Sequence, residues 1–366
     1  MVARPDLSND ILFEIFSRLP TISVGKFRCL SKTWRNLLST PHFIKSHLAR
    51  EKARHQYLII IPRCCSTRSV EIIKINDTVS KKISLPGRWN MIIGSCNGLV
   101  LLLSDHDDDN EELLLVNPIT LEQAKIPISP LALRQSESFS LYGFGHDRVR
   151  DDYKVVKLSY ELSDQPGLVY TDIFVDVYYV KTGVWKRLNN LPNSSSYDHF
   201  YTSSRALVNG AIHWLAASTR SGRGFVITAF DLVNETFFEI PIPVVGVDVK
   251  CFSPHFIVVL GGCLCLMDCK SNVEWANILV MKEYGVAESW MKFRVYGYGN
   301  FAYFKPLSFI GDDCDAEFMS VVEARGLVVY NPKVGIENLV ALRARGKFED
   351  GGTFVESLVS LASLRS

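Results

Sequence analysis

Cys263, Cys265 and Cys269, in the run GGCLCLMDC, come nearest in this sequence to a metal cluster, since closely spaced thiolates are what zinc takes. No His lies near them and a fourth ligand is missing; a strand would set Cys263 and Cys265 on one face, as small buried hydrophobes. Gly143 and Gly145 form G-x-G, but His146, Asp147 and Arg148 follow and no βαβ pattern surrounds them, so a dinucleotide site lacks its context. They read as turn glycines, as do Gly297 and Gly299. Residues 105–112, DHDDDNEE, hold six carboxylates without the glycine or ligand spacing of a calcium loop. Such a run repels itself and extends into water between two strands; contact with a basic partner is the alternative. His213-Trp214 sits in an apolar run and reads as packing. No Walker A sequence, G-x-S-x-G elbow or H-E-x-x-H pair occurs. These residues leave open a chain that binds other molecules and carries none of these catalytic motifs.

The composition allows that. Of 366 residues 47% are hydrophobic, enough for a large core, and the net charge of +1 gives no field to drive binding to nucleic acid or membrane. The first 55 residues are basic, about ten Lys and Arg against about four Asp and Glu. These charges are spread over several segments and form no recognisable nucleic-acid reader. Nine cysteines, with Cys64 and Cys65 adjacent, cannot form a complete set of internal disulfides. The opening MVARPDLSND has no apolar core and no run approaches a membrane span, so a reducing cytoplasmic or nuclear setting is expected and the sequons at Asn76, Asn193 and Asn234 mean little.

What positions these residues divides into a helical head and a long strand-rich remainder. Leu7, Ile11 and Ile15 recur at helical spacing, and beside them so do Leu12, Phe16 and Leu19. Two apolar stripes on one helix need two surfaces to bury them. Ser8 suits the N-cap, Asp10 and Glu14 suit the positive end of the helix dipole, and Pro20 ends the helix. Ser23 is expected to cap a second helix carrying Val24 and Phe27. Ser31 would cap a third carrying Trp34, Leu37 and Leu38, and Thr40-Pro41 would open a fourth with Phe43, Ile44 and Leu48. About forty residues bury too little surface to fold alone, so the head packs on a partner chain, or merely caps the strands.

This stretch resembles the F-box in its plant form. Asp10, Ile11, Leu12, Glu14, Ile15, Ser17, Arg18, Leu19 and Pro20 match the first half of that motif. Ser23, Val24, Lys26, Phe27, Arg28, Cys29, Ser31, Lys32, Trp34, Arg35 and Leu37 match the second. Three positions depart: Ser8 where Pro is usual, Thr21 where Val is usual, and Gly25 where Leu is usual. Gly25 removes an apolar side chain and costs about 1 kcal/mol of helix propensity. The resemblance implies docking on the Skp-type adaptor of a cullin-RING ubiquitin ligase, through Leu7, Ile11, Ile15, Leu19, Pro20, Val24, Phe27, Trp34 and Leu37.

After a charged link at 49–56, strand-like runs alternate with turns at 99–103, 113–116, 154–158, 173–180, 206–215, 225–230, 256–260, 318–322 and 327–330. Turns after an aromatic or branched residue recur at Asn117, Lys181, Asp231 and Asn331, spaced about 64, 50 and 100 residues, the last being two units of about 50 with 280–284 at its midpoint, and about 50 is the period of a propeller blade. About 300 residues at that period make roughly six blades, with 57–61 and 357–361 expected to close the ring. The segments SCNGLV at 95–100, NP at 117–118, YGFGHD at 142–147, DDYKVV at 151–156, VNGAIHWL at 208–215, GGCLC at 261–265, MKEYG at 281–285, ESW at 288–290 and VESL at 355–358 resemble the plant F-box-associated, kelch-like domain.

The expectation is therefore an α+β multidomain chain: a helical F-box over 1–50 and an all-β propeller-like domain over 51–366. It implies a non-catalytic substrate receptor of a Skp-cullin-F-box ubiquitin ligase, with no cofactor, no metal, an adaptor leading to cullin and RING subunits, and a target the sequence does not name. Two other classes stand beside it. One is an adaptor-independent interaction protein whose head Gly25 has spoiled. The other is a propeller enzyme or sugar binder, which would need acidic or aromatic residues converging at the channel mouth.

Overall fold

The computed structural model describes residues 8–52, 57–62, 69–74, 80–104, 111–131, 138–162, 170–189, 199–218, 224–242, 254–268, 275–296, 304–310, 317–322, 326–331, 336–339 and 348–364. The head has four helices: α1 (Asn9–Ser17), α2 (Thr21–Leu30), α3 (Lys32–Leu38) and α4 (Pro41–Lys52). Their starts follow from side chains that satisfy the free amides of a first turn. Ser8 Oγ accepts from the Ile11 amide at 3.4 Å, Ser31 Oγ from Trp34 at 3.1 Å and Thr40 Oγ1 from Phe43 at 3.3 Å. Pro20 ends one helix and opens the next, so α2 begins at Thr21 and Ser23 lies inside its first turn instead of capping it. Phe16, Val24, Leu38 and Phe43 are buried at the centre. Around them the rings of Phe16, Phe27 and Trp34 meet edge to face, with centroids 5.0 to 5.4 Å apart.

Among the described residues the remainder forms six four-stranded antiparallel sheets. The first holds β1 (Tyr57–Pro62), β2 (Ser69–Lys74) and β3 (Ser80–Ser84). The second holds β4 (Met91–Cys96), β5 (Leu99–Ser104), β6 (Glu112–Val116) and β7 (Gln123–Ile126). The third holds β8 (Ser138–Asp147), β9 (Asp152–Leu162), β10 (Tyr170–Tyr179) and β11 (Val184–Leu188). The fourth runs through β12 (His199–Val208), β13 (Ala211–Ser218), β14 (Gly224–Asp231) and β15 (Thr236–Ile240). The fifth runs through β16 (Pro254–Leu260), β17 (Cys263–Asp268), β18 (Trp275–Met281) and β19 (Trp290–Tyr296). The sixth runs through β20 (Phe304–Ile310), β21 (Glu317–Val322), β22 (Gly326–Asn331) and β23 (Ile336–Leu339). The last strand, β24 (Phe348–Phe354), pairs with β1 and becomes the inner strand of the first sheet. Inner strands β24, β4, β8, β12, β16 and β20 touch in turn around a closed ring. The fold is a β-propeller, and tying its last strand into its first sheet leaves no break in the ring.

Ring closure corrects one expectation. Residues 57–61 do close the ring, but their partner is β24, while 357–361 run past it as a strap that ends in α5 (Leu361–Leu364). The run at 206–215 is likewise two strands, because Asn209 (φ 55°) and Gly210 (φ 79°) make the tight turn that an Asn-Gly pair favours. The recurring turns read from the sequence join the third strand to the fourth. At Asn117 and Asp231 the side-chain oxygen accepts the amides two and three residues on, at 2.7 to 3.2 Å.

Buried charges fasten neighbouring blades. Lys154 Nζ reaches Asp147 Oδ2 and, in the next blade, Glu235 Oε1, each at 2.8 Å. Burial alone would raise the Asp147 carboxyl, but hydrogen bonds from Lys154 and Arg150 outweigh it and hold that group well below the ordinary carboxylate range. Lys157 meets Glu111 of the preceding blade at 3.1 Å.

Candidate functional site

The two stripes of α1 part company. Leu12, Phe16 and Leu19 turn into the head's core, while Ile11 and Ile15 stay 48% and 46% exposed. On α2, Ile22 and Leu30 are 51% and 67% exposed, eight residues apart on one stripe with exposed Lys26 between them. Pro20, at the corner between these helices, is exposed as well. The head therefore carries bare apolar side chains on both α1 and α2, which a chain in water retains at a cost unless a partner covers them.

The nine residues expected at an adaptor interface divide on this geometry. Ile11, Ile15 and Pro20 lie outside. Val24 is fully buried against Leu38 and Phe43, and Leu19, Phe27, Trp34 and Leu37 are half-buried, the first three packed on the core. Leu7 lies outside the described residues. Ile22 and Leu30, bare on α2, are not among the nine; their i, i+8 spacing on a helix is the available signal, and Lys26 between them masks it.

The head's other side is sealed to the propeller by the strap, 355–364. Leu358 is buried in the head's own core, and its carbonyl accepts from Arg28 at 3.5 Å. On the opposite side of the strap, Asn117 Nδ2 donates to the carbonyls of Ser357 and Val359 at 3.1 and 2.8 Å. Glu122 Oε2 accepts from the Leu361 amide and the Ser360 hydroxyl at 2.5 and 2.8 Å. The strap crosses the β4–β5 turn so closely that a Cβ on Gly98 would lie 2.1 Å from Ser357 Cβ. Only glycine fits there, and its φ of 82° demands one too. Direct bonds from α4 add Lys45 to Asp151 at 2.9 Å and Lys52 to Asn97 at 2.7 Å.

These contacts place the head at one end of the propeller. Antiparallel strands put the first-to-second and third-to-fourth connections of every blade at one end, and Asn97, Asn117 and Asp151 belong to such connections. The second-to-third and blade-to-blade connections leave from the opposite strand ends. Of the acidic run at 105–112, residues 105–110 lie outside the described residues; Glu111 is buried against Tyr142 and Lys157 and Glu112 begins β6, so these two do not extend into water as a loop.

The residues that suggested chemistry have structural surroundings. Gly143 and Gly145 lie within β8 and not in a turn, and a Cβ on Gly143 would lie 2.7 to 2.9 Å from Ile212 and Trp214, so this glycine lets two blades approach. His213 is buried, with Nδ1 at 3.0 Å from the Ala206 carbonyl and Nε2 at 2.8 Å from the Tyr284 hydroxyl. A carbonyl only accepts, so Nδ1 carries the proton and Nε2 accepts from Tyr284 in the neutral ring. Burial pushes the imidazole down to about 4. Cys265 is buried and its thiol is pushed up by that burial; Cys269 lies outside the described residues. Among the described residues no His, Cys, Asp and Glu gather as a metal site, and no helix is long and apolar enough to cross a membrane.

Known proteins match both parts. Residues 5–46 match the F-box domain and 56–331 the F-box associated beta propeller domain. F-box protein CPR1 of Arabidopsis thaliana is 30% identical over 323 residues, covering 83% of this chain and 77% of that protein. An F-box/kelch-repeat protein of the same plant is 27% identical over 378 residues, covering 98% of this chain and 97% of its own. Among solved structures, a putative 6-phosphogluconolactonase from Bacteroides uniformis is 11% identical at a TM-score of 0.44, covering 82% of this chain and 99% of that one, a likeness too slight to argue from. The chain belongs to the family of plant F-box proteins that carry an F-box associated beta propeller domain. An F-box joined to a propeller is the arrangement typical of substrate receptors, and F-box proteins are in general non-catalytic.

Proposed function

We propose that this chain is the substrate-recognition subunit of a Skp-cullin-F-box ubiquitin ligase. Its head, taken as residues 1–50, docks a Skp-type adaptor and through it the cullin and RING subunits. Its propeller, 51–366, holds a target protein so that a target lysine meets the charged ubiquitin enzyme at high effective concentration. The observation that carries this reading is the bare side of the head. Ile11, Ile15, Ile22 and Leu30 are left exposed while the strap and α4 occupy the other side. Within that interface the exposed residues and Pro20 make the adaptor contact, with Leu19, Phe27, Trp34 and Leu37 supporting from beneath. The chain works in the cytoplasm or nucleus and needs no cofactor, since its part is to hold and aim.

The test is reconstitution of the full chain with a plant Skp-type adaptor, cullin and RING subunit. Co-elution of all four, and ubiquitin transfer to a plant protein captured by the propeller, is the expected result. A chain that stays apart from the adaptor would instead be an adaptor-independent interaction protein.

A further inference from the structure

The six inner strands enclose a channel cavity of about 430 Å³, within the range of small-molecule sites. Arg205, on β12, reaches across it. Its Nη1 and Nη2 lie 3.4 Å from the carbonyls of Tyr142 on β8 and Ile92 on β4. Four other cations of the propeller have carboxylates at hydrogen-bond distance: buried Lys154 has Asp147 and buried Lys157 has Glu111, while Arg187 and Lys305, half-buried like Arg205, have Asp176 and Asp350. Among the described residues Arg205 has none. Two long contacts to neutral carbonyls leave most of its five N–H donors unspent, in a setting where burial lowers the guanidinium to about 10.

The surroundings narrow what could answer it. Ile92 ties the charged groups to one level, since its amide donates to Asp350 Oδ2 at 2.8 Å while its carbonyl faces Arg205. The Asp350 carboxylate also accepts from Lys305 Nζ and the Gly351 amide, both at 2.7 Å, so it draws Arg205 from a distance without pairing with it. Asp350 and exposed Glu349 share this wall and would repel a dianion more than a monoanion. The rest of the lining includes Ile93, Phe144, Ile212, Val258 and Leu307, which favours an apolar body. Lys305 and Asp350 lie within three residues of the starts of β20 and β24, at the end of the channel away from the head.

We propose that this channel binds a monoanionic carboxylate with an apolar body, its two oxygens paired with the Arg205 guanidinium in the parallel geometry an arginine favours. Such a group comes from a free organic acid or from the C-terminal carboxylate of a peptide ending in an apolar residue.

The test is titration calorimetry of the full chain with 3-phenylpropionate and with N-acetyl-Gly-Gly-Phe, each beside its carboxamide. The acids are expected to bind at least tenfold more tightly than the amides. Arg205→Met should lose at least tenfold and Arg205→Lys should keep part of the affinity. Binding of the free acid alone supports a small-molecule ligand, and binding of the peptide alone supports a chain terminus. Equal affinity for acid and amide, unchanged affinity in a folded Arg205→Met, or no binding of either acid at 10 mM overturns the proposal. Where Arg205→Met does not fold, the acid and amide comparison on the natural chain decides.

Discussion

The head and the propeller hide apolar surface in opposite ways. The propeller is closed: β24 completes the first sheet, its sheets stack blade on blade, and its buried lysines find carboxylates. The head is open, burying Phe16, Val24, Leu38 and Phe43 only with Leu358 borrowed from the strap, and leaving four aliphatic side chains in water. A unit so small cannot close a core by itself. The difference teaches what each part needs in order to fold: the propeller's sheets are complete as they stand, and the head is finished by the strap on one side and, as proposed, by another chain on the other.

That contrast is sharpest where the propeller depends on internal pairs. Lys154→Met strands the Asp147 and Glu235 carboxylates and should cost about 3–5 kcal/mol, read as an earlier denaturant transition of the full chain. Leu358→Ala removes the strap's contribution to the head and should cost about 3 kcal/mol. A circular dichroism melt should then show the helical signal lost before the strand signal; a single shared transition at the original temperature would break the contrast.

Acid attacks the propeller at His213. The folded ring titrates near 4 and an unfolded one near 6.5, so the neutral ring's contribution is present above pH 6.5 and is lost as pH falls toward 4. Lowering pH from 7.5 to 5 should remove about 2 kcal/mol, and His213→Asn should flatten that part of the stability profile. The smallest effect lies in the head. Nothing lies within 4 Å of a Cβ on Gly25, so Gly25→Ala should gain about 1 kcal/mol of helix stability, seen as a later helical transition.

The propeller was legible because its third-to-fourth strand turns recur along the chain with Asn, Asp or Lys at the end of an apolar strand. Its closing strand was not, since FEDGGTF holds two glycines and two acids, whereas VESLVS alternates like a strand and is a strap. Period 3.6 gave α1 two stripes without saying which faced out, because both are apolar and only the fold chooses. Val24 reads as interface by motif and is core by packing, while a lone arginine in a strand gives no hint that it spans a channel.

The most direct test of the account measures adaptor affinity for paired head variants of the full chain, by biolayer interferometry with a plant Skp-type adaptor. Ile15→Asp with Ile22→Asp should abolish binding while the chain melts as before, because both side chains already face water. Unchanged affinity in that double variant, or an adaptor that binds the natural chain no better than it binds the variant, would contradict the claim that the bare side of the head is the docking face.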